Sequence, residues 1–232
     1  MSDREYEDSL ARMLADAPTA DDIRVFAYGS LIWKPCFAFI EQRIGTVEGW
    51  HRSCCLKSTR WRGTPDKPGL MLALEPGGRC RGVVYRLAPD TSRDGLMALW
   101  RRELGPKPLN HDPLWLSVRT EKGAVPAITF VANPQGLSYV GATSIDEAAD
   151  MIAQAAGVWG PCAAYLHETV VRLRTLGIRD RYLWRLQSAV AEKIISERSK
   201  GSASHEDPDL QQQRQSLCPQ GADRPPRIAT RQ

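Results

Sequence analysis

Two short stretches of this chain carry residue types that could do chemistry together. The first is Val25-Phe26-Ala27-Tyr28-Gly29-Ser30-Leu31-Ile32-Trp33, a β-type run that meets a tight Tyr-Gly-Ser turn. Such a turn leaves consecutive backbone N–H groups without a ladder partner. Free N–H groups in series form a concave anion site suited to a carboxylate or phosphate. The second stretch, Leu99-Trp100-Arg101-Arg102-Glu103, sets a carboxylate beside apolar residues. Leu96, Leu99, Trp100 and Glu103 share one helical face. The apolar members turn that face toward the core, so Glu103 is expected to be partly buried. It also falls in the last turn, where the helix dipole disfavours a negative charge by a few tenths to ~1 kcal/mol. A carboxylate held there takes up a proton more readily than one in water, which suits a base working near neutrality. The same position also allows an ordinary ion pair with Arg101, Arg102 or a distant arginine.

The elements that must position these groups can be read from pattern and punctuation. Leu10, Met13 and Leu14 predict a short amphipathic helix ahead of Pro18. The β-branched and aromatic content, cut by Gly and Pro, predicts strands over Arg24–Ala27, Ile44–Trp50, Arg52–Lys57, Leu70–Glu75, Cys80–Leu87, Leu114–Arg119 and Pro126–Val131. Glu75-Pro76-Gly77-Gly78-Arg79 reads as a hairpin connection. A helix is predicted from Ser92 to Leu104, ended by Gly105 and Pro106. Ser144-Ile145-Asp146-Glu147 has the capping-box pattern and opens a helix that ends at Gly157. Another runs from about Pro161 to Leu176, with Gly177 after its end. A third starts at Asp180 and carries Leu183, Leu186, Val190 and Ile194 at helical spacing. Many short strands with one inserted helix, followed by consecutive helices, predict an α+β fold rather than a doubly wound sheet.

Composition narrows the function classes. At 232 residues, one domain with tails is expected, partitioned as an N-terminal extension over 1–22, a domain over 23–196 and a disordered, polar tail over 197–232. No apolar run approaches the ~18 residues of a membrane span, and the acidic start Met1-Ser2-Asp3-Arg4-Glu5 shows no secretory signal. Six cysteines (Cys36, Cys54, Cys55, Cys80, Cys162, Cys218) lack C-x-x-C spacing. They read as reduced, mostly buried thiols of a cytoplasmic protein, with Cys54 and Cys55 on opposite faces of a strand. His51, His111, His167 and His205 are dispersed, so no metal is assigned. Ser30 lacks the G-x-S-x-G frame of a serine hydrolase. Between His51 and Arg86, the basic residues Arg52, Lys57, Arg60, Arg62, Lys67, Arg79, Arg81 and Arg86 face only Asp66 and Glu75. This surplus favours an anionic small molecule or nucleic acid, or is a solvated strand face.

The string Val25-Phe26-Ala27-Tyr28-Gly29-Ser30-Leu31-Ile32-Trp33 resembles the N-terminal signature of the ChaC-type, glutathione-specific γ-glutamylcyclotransferases. So does Lys57-Ser58-Thr59-Arg60-Trp61-Arg62-Gly63-Thr64-Pro65-Asp66-Lys67-Pro68-Gly69-Leu70. Gly82-Val83-Val84-Tyr85-Arg86, Trp100-Arg101-Arg102-Glu103, Asn133-Pro134 and Tyr165-Leu166 follow in the family's order. The resemblance spans about Arg24 to Val190. It implies a γ-glutamylcyclotransferase-like fold, a small mixed β-barrel with flanking helices. The implied reaction converts glutathione to 5-oxo-L-proline and Cys-Gly with no cofactor. It also implies that the segment Val25 to Leu31, at its Tyr28-Gly29-Ser30-Leu31 loop, holds the γ-glutamyl moiety and that Glu103 is the catalytic glutamate. Arg60 and Arg62 either reach the glycyl carboxylate or stabilise their own turn.

The residues suit that reaction. The substrate's α-amine must attack its own γ-carbonyl, and as an ammonium it cannot; a nearby carboxylate can bind it and take its proton. The N–H groups of Gly29, Ser30 and Leu31 suit the α-carboxylate or the developing oxyanion. Two departures stand out. The family usually has Gly at Ala27, and a Gly-Tyr or Cys-Tyr pair after the glutamate, where this chain has Leu104-Gly105. The second departure bears on substrate identity, leaving another γ-glutamyl amine or amino acid as the alternative. A binding protein with a basic nucleic-acid face is the remaining reading, and no nucleic-acid or membrane partner is expected. Oligomeric state is not legible.

Overall fold

The computed structural model describes residues 1–19, 22–105 and 107–203. Five strands form a closed barrel: β1 (Arg24–Ala27), β2 (Phe39–Ser58), β3 (Gly69–Leu87), β4 (His111–Thr120) and β5 (Gly123–Ala132), in the order β1-β3-β2-β4-β5. All pairings are antiparallel except the one that closes the barrel, where Val25 of β1 meets Ile128 of β5 in parallel. Helices α1 (Asp3–Ala15), α2 (Ser92–Glu103), α3 (Ile145–Gln154), α4 (Cys162–Thr175) and α5 (Arg181–Ala203) complete it, with a small hairpin of β6 (Ala156–Gly157) and β7 (Gly160–Pro161). This is the α+β class that the pattern predicts, in the form of the small barrel with flanking helices that the family resemblance implies.

Two strands differ from the sequence reading. β2 and β3 each run through what reads as two strands and a break. The Glu75 to Arg79 segment is a bulge inside β3 rather than a hairpin turn. Pro76 faces Trp50, Gly77 and Gly78 take positive φ (102° and 68°), and the register slips between Glu48 and Trp50. The glycines bend a continuous strand because β2 bends with it, through Gly49 at φ 80°. No single-strand pattern reveals that its partner bends at the same point.

The helices follow local chemistry, except that α3 stops at Gln154, short of Gly157, which lies in β6. Ser144 and Glu147 form a capping box at α3. Gly177, at φ 68°, follows the last turn of α4. Asp180 accepts from the Leu183 N–H at 3.0 Å and caps α5. Helix α5 extends through 197–203, where composition reads as an open tail; the rest of that tail, with Cys218 and His205, lies outside the described residues, as does Pro106. Residues Met1–Ile194 form one compact unit.

The core of that unit joins the barrel to α1 through α5. Helix α1 packs Tyr6, Leu10 and Met13 inward and fastens α2: the Trp100 indole donates to Ser9 Oγ at 3.3 Å, and Tyr6 Oη donates to the Leu104 carbonyl at 2.7 Å. That carbonyl lies one residue beyond Glu103, so α1 helps fix the end of α2 that carries the carboxylate. Close backbone approach positions β1 as well. A Cβ on Gly82 would stand 2.3 Å from the Ala27 carbonyl oxygen, so only glycine lets β3 run this near β1.

Candidate active site

Strand β1 delivers the Tyr-Gly-Ser turn. Val25, Phe26 and Ala27 expose no surface, and they frame the turn from within the core. The Tyr28 phenol donates to the Phe130 carbonyl at 2.7 Å. Phe130 stands opposite Pro113, which has no N–H to offer. Burial, and then the Glu103 charge, push the Tyr28 phenol well above its ordinary pKa, so it remains a donor.

After Tyr28 the chain makes one 3₁₀ turn, Ser30–Ile32. Ile32 N–H donates to the Gly29 carbonyl at 3.0 Å, while Trp33 and Lys34 N–H donate to the Ser30 carbonyl at 3.2 and 2.8 Å. The N–H groups that open a helical turn have no partner within it. Among the described residues those of Gly29, Ser30 and Leu31 donate to no other backbone or side-chain acceptor. The series of free donors expected from sequence is therefore present.

A buried arginine sets the direction of the first of them. Arg52 Nε donates to the Tyr28 carbonyl at 2.6 Å, its Nη2 donates to the Arg81 carbonyl, and its Nη1 pairs with the Asp180 carboxylate. The Arg52 side chain is 3% exposed and that of Asp180 16%. The C=O and N–H of a trans peptide point opposite ways. Drawing the Tyr28 carbonyl to Arg52 thus aims the Gly29 N–H to the other side.

Glu103 ends α2. Trp100, one turn back, is fully buried and meets Phe130 edge-on at 5.3 Å between ring centroids. His111 Nδ1 lies 3.1 Å from the Glu103 backbone carbonyl, where a ring N–H satisfies one of the orphan carbonyls of the helix end. The Glu103 side chain is 15% exposed, and its Oε1 lies 3.3 Å from Arg102 Nε. Of the arginine partners open to this carboxylate, Arg102 is the one it meets.

Adjacent helical residues do not normally face one another. Here Arg102 is turned toward the loop: its Nη2 donates to Ser30 Oγ at 2.8 Å, and its Nη1 to the Lys34 carbonyl. One guanidinium therefore joins the carboxylate of α2 to the Tyr-Gly-Ser turn. Tyr165 of α4 closes the same region. Its Oη accepts from the Leu72 N–H at 3.3 Å, and a Cβ on Gly29 would come within 3.4 Å of it. Burial pushes the Tyr165 phenol up as well.

The other predicted residues are held by contacts of their own. Arg60 stacks on Trp61, with 4.5 Å from its guanidinium carbon to the ring centroid. Arg62 Nη1 donates to the Pro161 carbonyl at 3.1 Å, holding the β6–β7 hairpin against the 58–69 loop. The hairpin docks backbone to backbone: Val158 and Trp159 N–H donate to the Arg60 and Trp61 carbonyls at 3.0 and 2.9 Å. A Cβ on Gly157 would stand 2.5 Å from the Arg60 carbonyl oxygen. Trp61 and Trp159 then stack at 4.3 Å.

The basic surplus does not form one solvated face. Arg52 is internal, and Arg86 pairs with Asp22 at 3.0 Å. Cys54 and Cys55 belong to different apolar clusters, on opposite sides of β2. Burial pushes the thiols of Cys55, Cys80 and Cys162 up to about 12, 11 and 11, away from thiolate chemistry. No group of three or more His, Cys, Asp or Glu among the described residues could hold a metal ion. A concavity of about 440 Å³ opens on the barrel wall between β2 and β4. Its Glu48 and Arg119 are already paired at 2.6 Å, and neither Glu103 nor the turn reaches it.

Two arginines of this site escape the sequence reading. Arg52 counts there only as one basic charge among eight, because its partner Asp180 is remote in the chain. Arg102 enters only as an ion-pair option for Glu103, and the spacing carries no sign that it also grips Ser30.

The chain is similar to known proteins over most of its length. The model of the ChaC-like protein family matches residues 23–193. A glutathione-specific γ-glutamylcyclotransferase of Escherichia coli K12 is 40% identical over 190 residues, covering 82% of this chain and 81% of that protein. A γ-glutamylcyclotransferase of Arabidopsis thaliana is 33% identical over 180 residues, covering 75% of this chain and 90% of that one. Among solved structures, a yeast γ-glutamyl cyclotransferase specific to glutathione superposes with a TM-score of 0.68 at 22% identity, over 74% of this chain and 96% of that one. At that identity the likeness speaks to fold alone.

Proposed function

Because this chain belongs to the ChaC-like family, we propose that it is a γ-glutamylcyclotransferase that cleaves glutathione to 5-oxo-L-proline and Cys-Gly, with Glu103 as its base and acid. The observation that carries the reading is the junction of Glu103, Arg102 and Ser30 (3.3 and 2.8 Å), which puts a poorly exposed carboxylate beside a turn of free N–H donors.

The γ-glutamyl moiety lies along Tyr28 to Leu31, and Glu103 accepts a proton from its α-ammonium. The freed amine attacks the γ-carbonyl carbon and closes a five-membered ring. Glu103 then passes its proton to the departing cysteinyl nitrogen and the C–N bond breaks. The same carboxylate takes the second proton from the ring nitrogen, which the attack left charged, and hands it to the Cys-Gly amine, which leaves as its ammonium. Glutathione supplies every atom of both products. Holding amine and carbonyl in contact removes much of the entropic barrier, an effect worth several kcal/mol. The neutral, buried phenols of Tyr28 and Tyr165 give the ring closure a surface that excludes water without adding charge. Arg60 and Arg62, with Lys34, make the rim near Trp61 and Trp159 cationic, which suits the glycyl carboxylate.

The substrate is a small molecule. Among the described residues no helix is long and apolar enough to cross a membrane. The free thiols Cys36, Cys54, Cys55, Cys80 and Cys162 suit a reducing compartment, and the cytoplasm is the location we assign. Mixing the purified protein with glutathione and measuring products by mass spectrometry tests the reading. Equimolar 5-oxoproline and Cys-Gly are expected. Product from other γ-glutamyl compounds but none from glutathione would leave the cyclisation and remove this substrate.

A further inference from the structure

Trp61 of the 58–69 loop and Trp159 of the β6–β7 hairpin stack with 21° between their planes, and both stay well exposed, at 40% and 55%. A cation lies over each ring. The Arg60 guanidinium carbon stands 4.5 Å from the Trp61 centroid, and Lys34 Nζ stands 6.0 Å from that of Trp159. The order of contact is thus Arg60, Trp61, Trp159, Lys34. Arg62 serves differently, since it donates to the Pro161 carbonyl and staples the hairpin. Among the described residues neither the Lys34 ammonium nor the Arg60 guanidinium pairs with a carboxylate, so what holds each charge is an aromatic face.

This stack is tied to the turn through Lys34. Its N–H donates to the Ser30 carbonyl at 2.8 Å, and its own carbonyl accepts from Arg102. The lysine side chain then runs from the turn to Trp159. A tripeptide extended from the same turn reaches about 10 Å, far enough to bring its distal carboxylate to those charges.

Resting on the function proposed above, we infer that the Trp61–Trp159 stack is a positioning device that sets Lys34 and Arg60 as a receptor for the glycyl carboxylate of glutathione. The two cations touch the ligand, and the two tryptophans act through them. Neither cation has a carboxylate partner to give up, so the ligand competes with water alone. The distal carboxylate is several bonds from the atoms that close the ring, and its contacts are the same before and during the reaction. Binding of that uniform kind lowers KM and leaves kcat alone. The stack therefore favours the tripeptide over γ-glutamyl compounds whose leaving group carries no charge at its far end.

The test compares glutathione with γ-glutamyl-cysteinyl-glycinamide, which cyclises by the same step and ends uncharged. Steady-state kinetics are measured on the unaltered protein, Trp159→Ala, Trp159→Phe and Lys34→Gln. For the unaltered protein at low salt, KM for the amide should be about 5- to 10-fold higher at equal kcat, the size of two exposed charge contacts. That advantage should shrink toward parity near about 1 M salt. Trp159→Ala and Lys34→Gln should each remove at least half of it by raising KM for glutathione, with KM for the amide unmoved. Trp159→Phe keeps a ring beneath Lys34 and should keep most of it. Lys34→Gln leaves the stack intact and carries the test should Trp159→Ala fail to fold. Equal KM for both substrates with the unaltered protein would overturn the inference. So would a fall in kcat on both substrates with their KM ratio kept, since the stack would then only support the fold. Absence of 5-oxoproline from both substrates would remove the underlying function instead.

Discussion

Two arginine–carboxylate pairs flank one turn, and they do different work. Arg52–Asp180 lies behind it, with side chains 3% and 16% exposed, and every nitrogen of Arg52 meets a protein oxygen. Arg102–Glu103 lies in front, with side chains 22% and 15% exposed, and each nitrogen of Arg102 likewise meets a protein oxygen, with a further hydrogen bond to the Cys36 thiol. The count of contacts therefore does not separate the two pairs. The exposure of the guanidinium does: the rear one is sealed in and holds the Tyr28 carbonyl, whereas the front one borders solvent and joins a carboxylate to the turn.

The sharpest way to break this contrast is at Glu103. Glu103→Gln keeps the shape and removes the base. Its kcat should fall by about a thousandfold, while its melting temperature stays within a few degrees of the parent. A variant that keeps most of the activity would remove Glu103 from the chemistry, and with it the front pair's claim to function.

The rear pair should fail in the opposite sense. Arg52→Leu leaves the Asp180 carboxylate and the Tyr28 and Arg81 carbonyls without their donor. Breaking a buried pair in this way costs on the order of 3–5 kcal/mol, a fall of roughly 10 °C or more for a unit of this size. Adding Asp180→Asn should restore part of that loss, a coupling that thermal melts of the four proteins would measure. A melt unchanged by Arg52→Leu would mean that the pair contributes nothing to holding the turn.

Much of this arrangement is legible in the sequence, for physical reasons that differ by element. Helix ends were readable because their signals are local: Ser144 with Glu147, Gly177 and Asp180 act within a turn of where they stand. The burial of Glu103 was readable from one helical face. The long bent strands were not, because a bulge is a property of two strands, and Glu48 says nothing by itself about Gly77. Nor was the double role of Arg102, since the loop that turns it back toward Ser30 is far away in the chain. Contacts between remote segments leave no trace in spacing, and both pairs around the turn are completed by such contacts.

Tyr28 sits between the two pairs and offers a smaller test. Tyr28→Phe removes the donor to the Phe130 carbonyl and leaves that oxygen opposite a proline. The expected cost is about 1–2 kcal/mol, with kcat/KM reduced less than by Glu103→Gln. A loss of rate as large as that of Glu103→Gln, without loss of stability, would make the phenol part of the chemistry and not of the frame.

The finest test uses thiols as reporters of each pair. Cys36 is partly exposed and lies within the field of the front pair: burial raises its pKa, while the Arg102 charge and a hydrogen bond from it act to lower it. Cys80 lies within the field of the rear pair; burial dominates and pushes it up to about 11. Alkylation rate follows the thiolate fraction and access, so near pH 8 iodoacetamide should label Cys36 well before Cys80. Removing the guanidinium with Arg102→Gln takes away the influence that favours the Cys36 thiolate. The thiol pKa then rises, the thiolate fraction falls, and labelling slows severalfold. Asp180→Asn should leave the Cys36 rate unchanged, since that carboxylate belongs to the other side of the turn. Peptide mapping of the alkylated protein distinguishes the two sites. Equal slowing of Cys36 by both substitutions would mean that the pairs communicate through the turn, and the division of work between them would fail.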